Sequence, residues 1–317
     1  MIEKVYDVVL YKPGRFANFL NPKKTQTFGE EVIQTANMLL SVDKSLKIGI
    51  LSRNNVSRNS NIFDVSKKDI ILTNKLVVFS GYFDIETEND IMERVKSNER
   101  ILISTDFNCF KKHNTRLYDK VVCHFDPSNV KHKNAVFFPN SLLRCKFIMD
   151  NFYKKTNYLK TYKNRKRKVV FIGSDVEKLE KFKEYVLRPN VDFYGKSKMF
   201  YIHKPLSIKG TFLKLKEYRY TIIFHNPLYE HIRLTSSRLI EASLSGCIPI
   251  IDYTYKPYNN DASEYEDCYV NSYENMVKFI RLTRDINFYK SILERHERLL
   301  YKSFSDIENK VYKLIFT

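Results

Sequence analysis

The stretch Ile232–Asp252, IRLTSSRLIEASLSGCIPIID, decides the fold class. Thr235 or Ser236 is suited to cap a helix, Leu239, Ile240 and Leu244 follow at helical spacing, and Gly246 is suited to end it. The run from Cys247 to Asp252 is then continuously apolar, which is the mark of a strand covered on both faces. Helix, glycine and buried strand together make one unit of a parallel α/β sheet. Arg238 and Glu241 lie three apart and share a face near the helix start. A helix N-terminus favours an anion, a guanidinium beside it can neutralise a diphosphate, and a carboxylate can accept both hydroxyls of a ribose. An ordinary ion pair on an exposed helix has the same spacing.

The same rhythm recurs on both sides of this segment. Val5–Tyr11, Leu46–Ser52, Asp69–Thr73, Leu76–Gly81, Ile101–Thr105 and Val121–Phe125 read as strands of a first half. A helix is expected from about Thr27, with Glu30 three residues after that cap. Lys168–Gly173, Val191–Gly195, Thr221–Asn226 and Cys247–Asp252 read as strands of a second half, and Phe288–Ile315 as one or two closing helices. Between the halves, KKTNYLKTYKNRKRK (Lys154–Lys168) is a basic, weakly apolar stretch. It reads equally as a solvated linker and as a strip that follows DNA phosphates.

A chain of 317 residues is long for one core and comfortable for two. The sequence carries 54 Lys and Arg against 36 Asp and Glu, a net charge of +18, and a field of that sign favours polyanions, nucleic acid first. Lys- and Asn-rich coding is the other source of such a charge. Five cysteines, odd in number and widely spaced, suggest neither a disulfide framework nor a zinc site, so a reducing cytoplasm is expected. No apolar run approaches a membrane span, and MIEKVYDVV lacks the basic start of a signal peptide, so no membrane partner is expected. Paired Cys/His spacing, H-E-x-x-H, Walker A and G-x-G-x-x-G are all missing from the sequence.

With its small-residue turn and its strand ending in Asp252, the R-x-x-E pattern resembles the nucleotide-sugar element of GT-B glycosyltransferases. The order and spacing of Asp252, Tyr269–Asn271, Tyr273–Ile280 and Leu293–Leu300 are similar to the DNA β-glucosyltransferases of T-even phages. This resemblance implies an α/β GT-B fold with two Rossmann-like domains facing a central cleft. The expected domains are an acceptor-binding domain 1–160, a donor-binding domain 161–300, and a closing helix 301–317 that packs back on the first. It also implies a UDP-sugar donor, Arg238 on its phosphates and Glu241 on its ribose. The strand RILISTDFN (Arg100–Asn108) ends in Thr-Asp as in that family, which makes Asp106 the general base; an Asp there also suits a helix cap or turn.

Glu30 or Glu31 matches a family acid near the donor sugar, with the register open between them. Gly173 and Ser174 end a strand before a helix, where backbone N–H groups can meet phosphate. The family carries arginines in that loop, whereas GSDVEKLEKF offers only Lys178 and Lys181, point charges without a bidentate fork. Tyr229 is suited either to line the phosphate site or to pack. Lys111, Lys112, Lys163, Arg165, Lys166 and Arg167 are the candidate DNA contacts. Duplex DNA with hydroxymethylated bases is the implied acceptor, Mg2+ or Mn2+ a metal the resemblance leaves open, and a monomer the expected state. Two rivals stand beside this reading: a GT-B enzyme acting on a glycan, lipid or protein, and a nucleic-acid-binding protein without catalysis.

Overall fold

The protein is described from a computed structural model, which covers residues 3–13, 30–51, 61–65, 70–81, 88–139, 141–153, 161–174, 179–196, 206–258 and 265–317. The chain divides into two compact units, one built on the residues up to 147 together with 306–317, the other on 148–305.

The first unit holds β1 (Glu3–Tyr11), β2 (Ile48–Leu51), β3 (Ile62–Val65), β4 (Ile70–Phe79), β5 (Val95–Ile103), β6 (Lys120–Cys123) and β7 (Ala135–Phe137). They form a seven-stranded sheet in the order β3-β2-β1-β4-β5-β6-β7, every pair parallel. Parallel strands end at one edge, and the order reverses between β1 and β4, so ligands are expected outside that edge near that point. Gly81, just past β4, lies so near the Pro13 carbonyl that a Cβ would sit 2.5 Å from its oxygen. The helix Ile307–Phe316 belongs to this unit. Lys120 Nζ donates to the Leu314 carbonyl at 3.0 Å, and Lys146 pairs with Glu308 at 3.3 Å. It is separated from the helix Ile286–Phe304 by Ser305 and Asp306, whose φ of 59° is left-handed. The turn therefore falls after 305 rather than at 301.

In the second unit β8 (Lys166–Ser174), β9 (Val191–Lys196), β10 (Tyr218–Ile223), β11 (Ile248–Asp252) and β12 (Tyr269–Val270) form a parallel sheet in the order β12-β11-β10-β8-β9. β10 and β11 are buried along their whole length: β11 is apolar up to Asp252, and in β10 the enclosed Arg219 donates to the Tyr162 carbonyl and Thr221 Oγ1 to the Val170 carbonyl. Phe171, Phe182, Phe193, Phe224, Ile250 and Tyr255 are among the side chains of the core they share. Gly195 approaches Gly173 across the β8–β9 pair so closely that a Cβ would lie 1.6 Å from the Gly173 oxygen.

Several expected strands are redrawn. Asp69–Thr73 and Leu76–Gly81 are one strand, β4, running through Asn74 and Lys75. β5 begins at Val95, well before the apolar Ile101, because its polar first half pairs with β4 and Glu99 ion-pairs with Lys75. The short strands β3, β7 and β12 carry too few residues for a period to show. Residues 154–160 of the basic stretch lie outside the described residues, but Lys166–Lys168 are not linker: they open β8.

Candidate active site

In the first unit the carboxyl ends of β1, β4, β5 and β6 bring together Lys12, Ser80, Thr105, Asp106 and His124. Ser80 Oγ accepts from the backbone N–H of Thr105 at 2.8 Å and of Asp106 at 3.2 Å, and Thr105 Oγ1 donates to the Ser80 carbonyl at 2.9 Å. These bonds fix the loop carrying Asp106 to the end of β4. Asp106 caps the helical turn Phe107–Phe110 by accepting from the Cys109 N–H at 3.0 Å, and its side chain stays exposed. Cap and solvent-facing carboxylate are thus one residue: Oδ1 takes the cap bond.

The helix Glu30–Val42 leaves the same edge after β1. Its Glu31 accepts from Lys12 Nζ at 3.0 Å, both side chains nearly buried. Burial resists ionisation of Glu31, but the charge and hydrogen bond of Lys12 outweigh it and hold the carboxyl below the usual range. Of the two acids the sequence offers here, Glu31 is the one whose side chain is described; the Glu30 side chain lies outside the described residues. His124 follows β6 and is buried, its Nδ1 without a hydrogen bond. Burial pushes its imidazole down to about 4, against the Ser104 backbone and the carboxylates of Asp106 and Glu31, which pull the other way. The ring is neutral at pH 7. Lys111 and Lys112, past the Asp106 turn, are exposed, with Lys111 Nζ 5.3 Å from the Phe107 ring centroid.

In the second unit Ser236 caps the helix Ser237–Ser245 by accepting from the Arg238 N–H, and Gly246 ends it at φ 66°. Arg238 Nη1 meets Glu241 Oε2 at 2.5 Å, and Glu241 has no exposed surface while Arg238 keeps a fifth of its side chain open. The pair is not an exposed surface bridge. One partner is fully enclosed, and the other reaches solvent at the first turn of a helix. Asp252, at the end of β11, is buried between Lys181 Nζ and Tyr185 Oη, each at 2.8 Å. Burial opposes its ionisation, but the bonds from Lys181, Thr254 and Tyr185 hold its carboxyl low. Lys181 is thereby drawn onto Asp252. Thr254 Oγ1 also donates to Glu230 at 2.7 Å, and burial raises the Glu230 carboxyl, with Asp252 beside it adding to the rise. Tyr229, half-buried in the turn Pro227–His231, packs its ring 6.0 Å from that of His225.

Gly173 and Ser174 close β8 at this same edge; the Ser174 side chain and Lys178 lie outside the described residues. Arg165, expected on DNA, is not a surface cation. It is buried, with Nη1 donating to the Gly246 carbonyl at 2.7 Å and Nη2 to the Ser245 carbonyl at 2.9 Å, so its fork is spent on the C-terminal end of the Ser237–Ser245 helix instead of DNA. Lys163, Lys166 and Arg167 are exposed but stand at the opposite end of β8 from Gly173, about 20–25 Å along the strand at ~3.3 Å per residue. Lys166 is engaged there by Tyr218 and Glu217. Lys12, Ser80, His124 and Tyr185 went unnoticed in the sequence.

No protein-family model and no curated protein matches the sequence. Solved structures do match. T4 phage BGT in complex with UDP and Mn2+ is 15% identical with a TM-score of 0.65, over 99% of this chain and 98% of that one. The DNA-modifying enzyme beta-glucosyltransferase, with and without its substrate uridine diphosphoglucose, gives 13% and 0.61 over the same shares. The alpha,alpha-trehalose 6-phosphate synthase of Burkholderia multivorans gives 9% and 0.51, over 98% of this chain and 95% of that one. With two all-parallel α/β units and a full-length likeness to T4 β-glucosyltransferase, the chain has the GT-B fold.

Proposed function

We propose that this protein is a glycosyltransferase that moves a sugar, glucose in the first instance, from a UDP-sugar to the hydroxymethyl group of a modified base in DNA. What carries the reading is the Arg238–Glu241 pair, an enclosed carboxylate under a solvent-reaching guanidinium at the first turn of a helix, on a chain that matches T4 phage β-glucosyltransferase from end to end. In this reading the second unit binds the donor. Glu241 accepts the ribose hydroxyls, and Arg238 with the helix N-terminus neutralises the departing diphosphate. The N–H groups of Gly173 and Ser174 join them, and Tyr229 borders the phosphates.

The first unit binds the acceptor. Asp106 takes the proton of the acceptor hydroxyl as its oxygen attacks the anomeric carbon and the bond to UDP breaks, a single displacement. Glu31, fixed as a carboxylate by Lys12, is the sugar-side acid. A hydroxymethyl group in duplex DNA reaches such a carboxylate only when its base leaves the stack, at a cost of about a few kcal/mol offset by phosphate contacts. Lys111 and Lys112, close after Asp106, are the contacts best placed for this; Lys163, Lys166 and Arg167 would serve a more distant stretch. Mn2+ accompanies UDP in the T4 complex. Among the described residues no three His, Cys, Asp or Glu side chains converge. A divalent ion here would take most of its ligands from diphosphate and water.

The position of Lys163, Lys166 and Arg167, away from the carboxyl edge, favours one rival, a GT-B enzyme with a non-DNA acceptor. Transfer from a panel of radiolabelled nucleotide-sugars to duplexes with hydroxymethylated or unmodified bases separates the two. Label only on hydroxymethylated DNA supports the proposal; donor turnover that never labels DNA moves the protein to the rival.

A further inference from the structure

His124 is an enclosed side chain that no step above uses. The Ile103↔Val122 register of β5 and β6, continued by the Ser104 N–H bond to the Val122 carbonyl at 2.8 Å, sets His124 beside the Thr105-Asp106 segment. The ring of Phe125, the next residue, stands edge-on against Phe107 at 5.0 Å and Phe110 at 5.5 Å, so the end of β6 and the Asp106 turn are packed as one piece. The His124 ring is 94% buried, yet its Nδ1 makes no hydrogen bond. A neutral imidazole carries one lone-pair nitrogen, and Nδ1 is the nitrogen left without a partner inside the protein. The charged groups that act on the ring are Asp106 and Glu31, and both are acceptors too. Neither carboxylate is a donor to the ring, and the Lys12 ammonium is already committed to Glu31. A buried nitrogen in that setting is satisfied by a ligand that brings an O–H or N–H donor.

We propose that Nδ1 of His124 accepts a hydrogen bond from the acceptor nucleotide, on the flipped base or its hydroxymethyl group, and so orients the hydroxyl that Asp106 deprotonates. This rests on the reading of the first unit as the acceptor side. It makes His124 a ligand-binding residue that selects hydroxymethylated bases, while Asp106 supplies the chemistry.

The test compares His124→Phe, which keeps a flat ring without the acceptor nitrogen, with His124→Asn, whose Oδ1 can fall near the Nδ1 position. Glucose transfer from UDP-glucose to a hydroxymethylated duplex is measured for each, with thermal melting as the check on folding. The expected result is a fall in kcat/KM for DNA of about tenfold or more in His124→Phe, largely recovered in His124→Asn. The KM for UDP-glucose should stay unchanged in both. Equal activity of His124→Phe and wild type overturns the proposal while leaving the glycosyltransferase reading intact. So does an equal loss in both variants that tracks their melting temperatures. Wild-type protein that turns over UDP-glucose but never labels the duplex overturns both.

Discussion

Arg238 and Arg165 share a residue type and have opposite surroundings. Arg238 keeps a fifth of its side chain in solvent and pairs with an enclosed carboxylate, whereas Arg165 spends its fork on backbone carbonyls inside the fold. Arg238→Ala leaves the Glu241 carboxylate buried and uncompensated, so it should lower stability by about 3–5 kcal/mol as well as donor affinity. Glu241→Gln keeps shape and burial, and isothermal titration with UDP-glucose should show binding at least about tenfold weaker while Arg238 still reaches phosphate. Full affinity in Glu241→Gln would remove Glu241 from the ribose. Arg165→Ala should lower stability by about 2–4 kcal/mol in urea titrations, through lost bonds to buried carbonyls, and leave DNA affinity unchanged in the fraction that stays folded. The Arg238–Glu241 pair was legible because its meaning is carried by a three-residue spacing. Arg165 was not, since a charge inside a basic run does not show which member turns inward, and His124 was not, since its burial depends on strands distant in sequence.

At the scale of elements, β11 was legible because it is buried on both faces and apolar up to Asp252, whereas β10, expected at Thr221–Asn226, runs Tyr218–Ile223 because Arg219 and Thr221 find hydrogen-bond partners inside the fold. β4 and β5 were misdrawn where they are partly exposed: Asn74, Lys75 and the stretch from Lys96 to Arg100 look like loop, yet pair in register. Two glycines hold the second sheet's connections. Gly195→Ala would place a Cβ 1.6 Å from the Gly173 oxygen, at a backbone φ of +152° that L side chains rarely adopt. It should open the β8–β9 pair at the Gly173 end and cost more than about 3 kcal/mol. Gly246→Ala meets only the left-handed strain of a helix end and should cost about 1 kcal/mol. Chemical denaturation of both variants checks the ranking; equal costs would contradict the close approach.

At the scale of the whole molecule, stability should fall on acidification well before the carboxylates titrate. Burial pushes His124 down to about 4 and His296 down to about 3, from an ordinary value of 6.5. As pH falls from 6.5 towards 4, the unfolded chain takes up protons on both rings that the folded chain refuses. Each ring then removes about 1.4 kcal/mol of stability per pH unit. Glu88 and Asp252, held low in the folded state, add their loss below about pH 4. Urea unfolding at pH 7 and pH 5 should show this slope, and His296→Phe should make it shallower; an unchanged slope would mean that His296 is not held neutral. The two-unit α/β plan was legible because each half repeats the same strand and helix rhythm. What the sequence did not show was which basic residues stand at the carboxyl edges, since that depends on strand direction.

The most direct measurement is the single-turnover rate of labelled glucose transfer from UDP-glucose to a hydroxymethylated duplex by wild type and by Asp106→Ala, with UDP-glucose affinity measured alongside. Removing a general base should slow transfer by about 10²–10⁴-fold and leave donor affinity within about twofold, because Asp106 belongs to the first unit and the residues assigned to the nucleotide, Arg238 and Glu241, to the second. Transfer by Asp106→Ala at the wild-type rate would contradict the assignment of the base and, with it, the proposed mechanism.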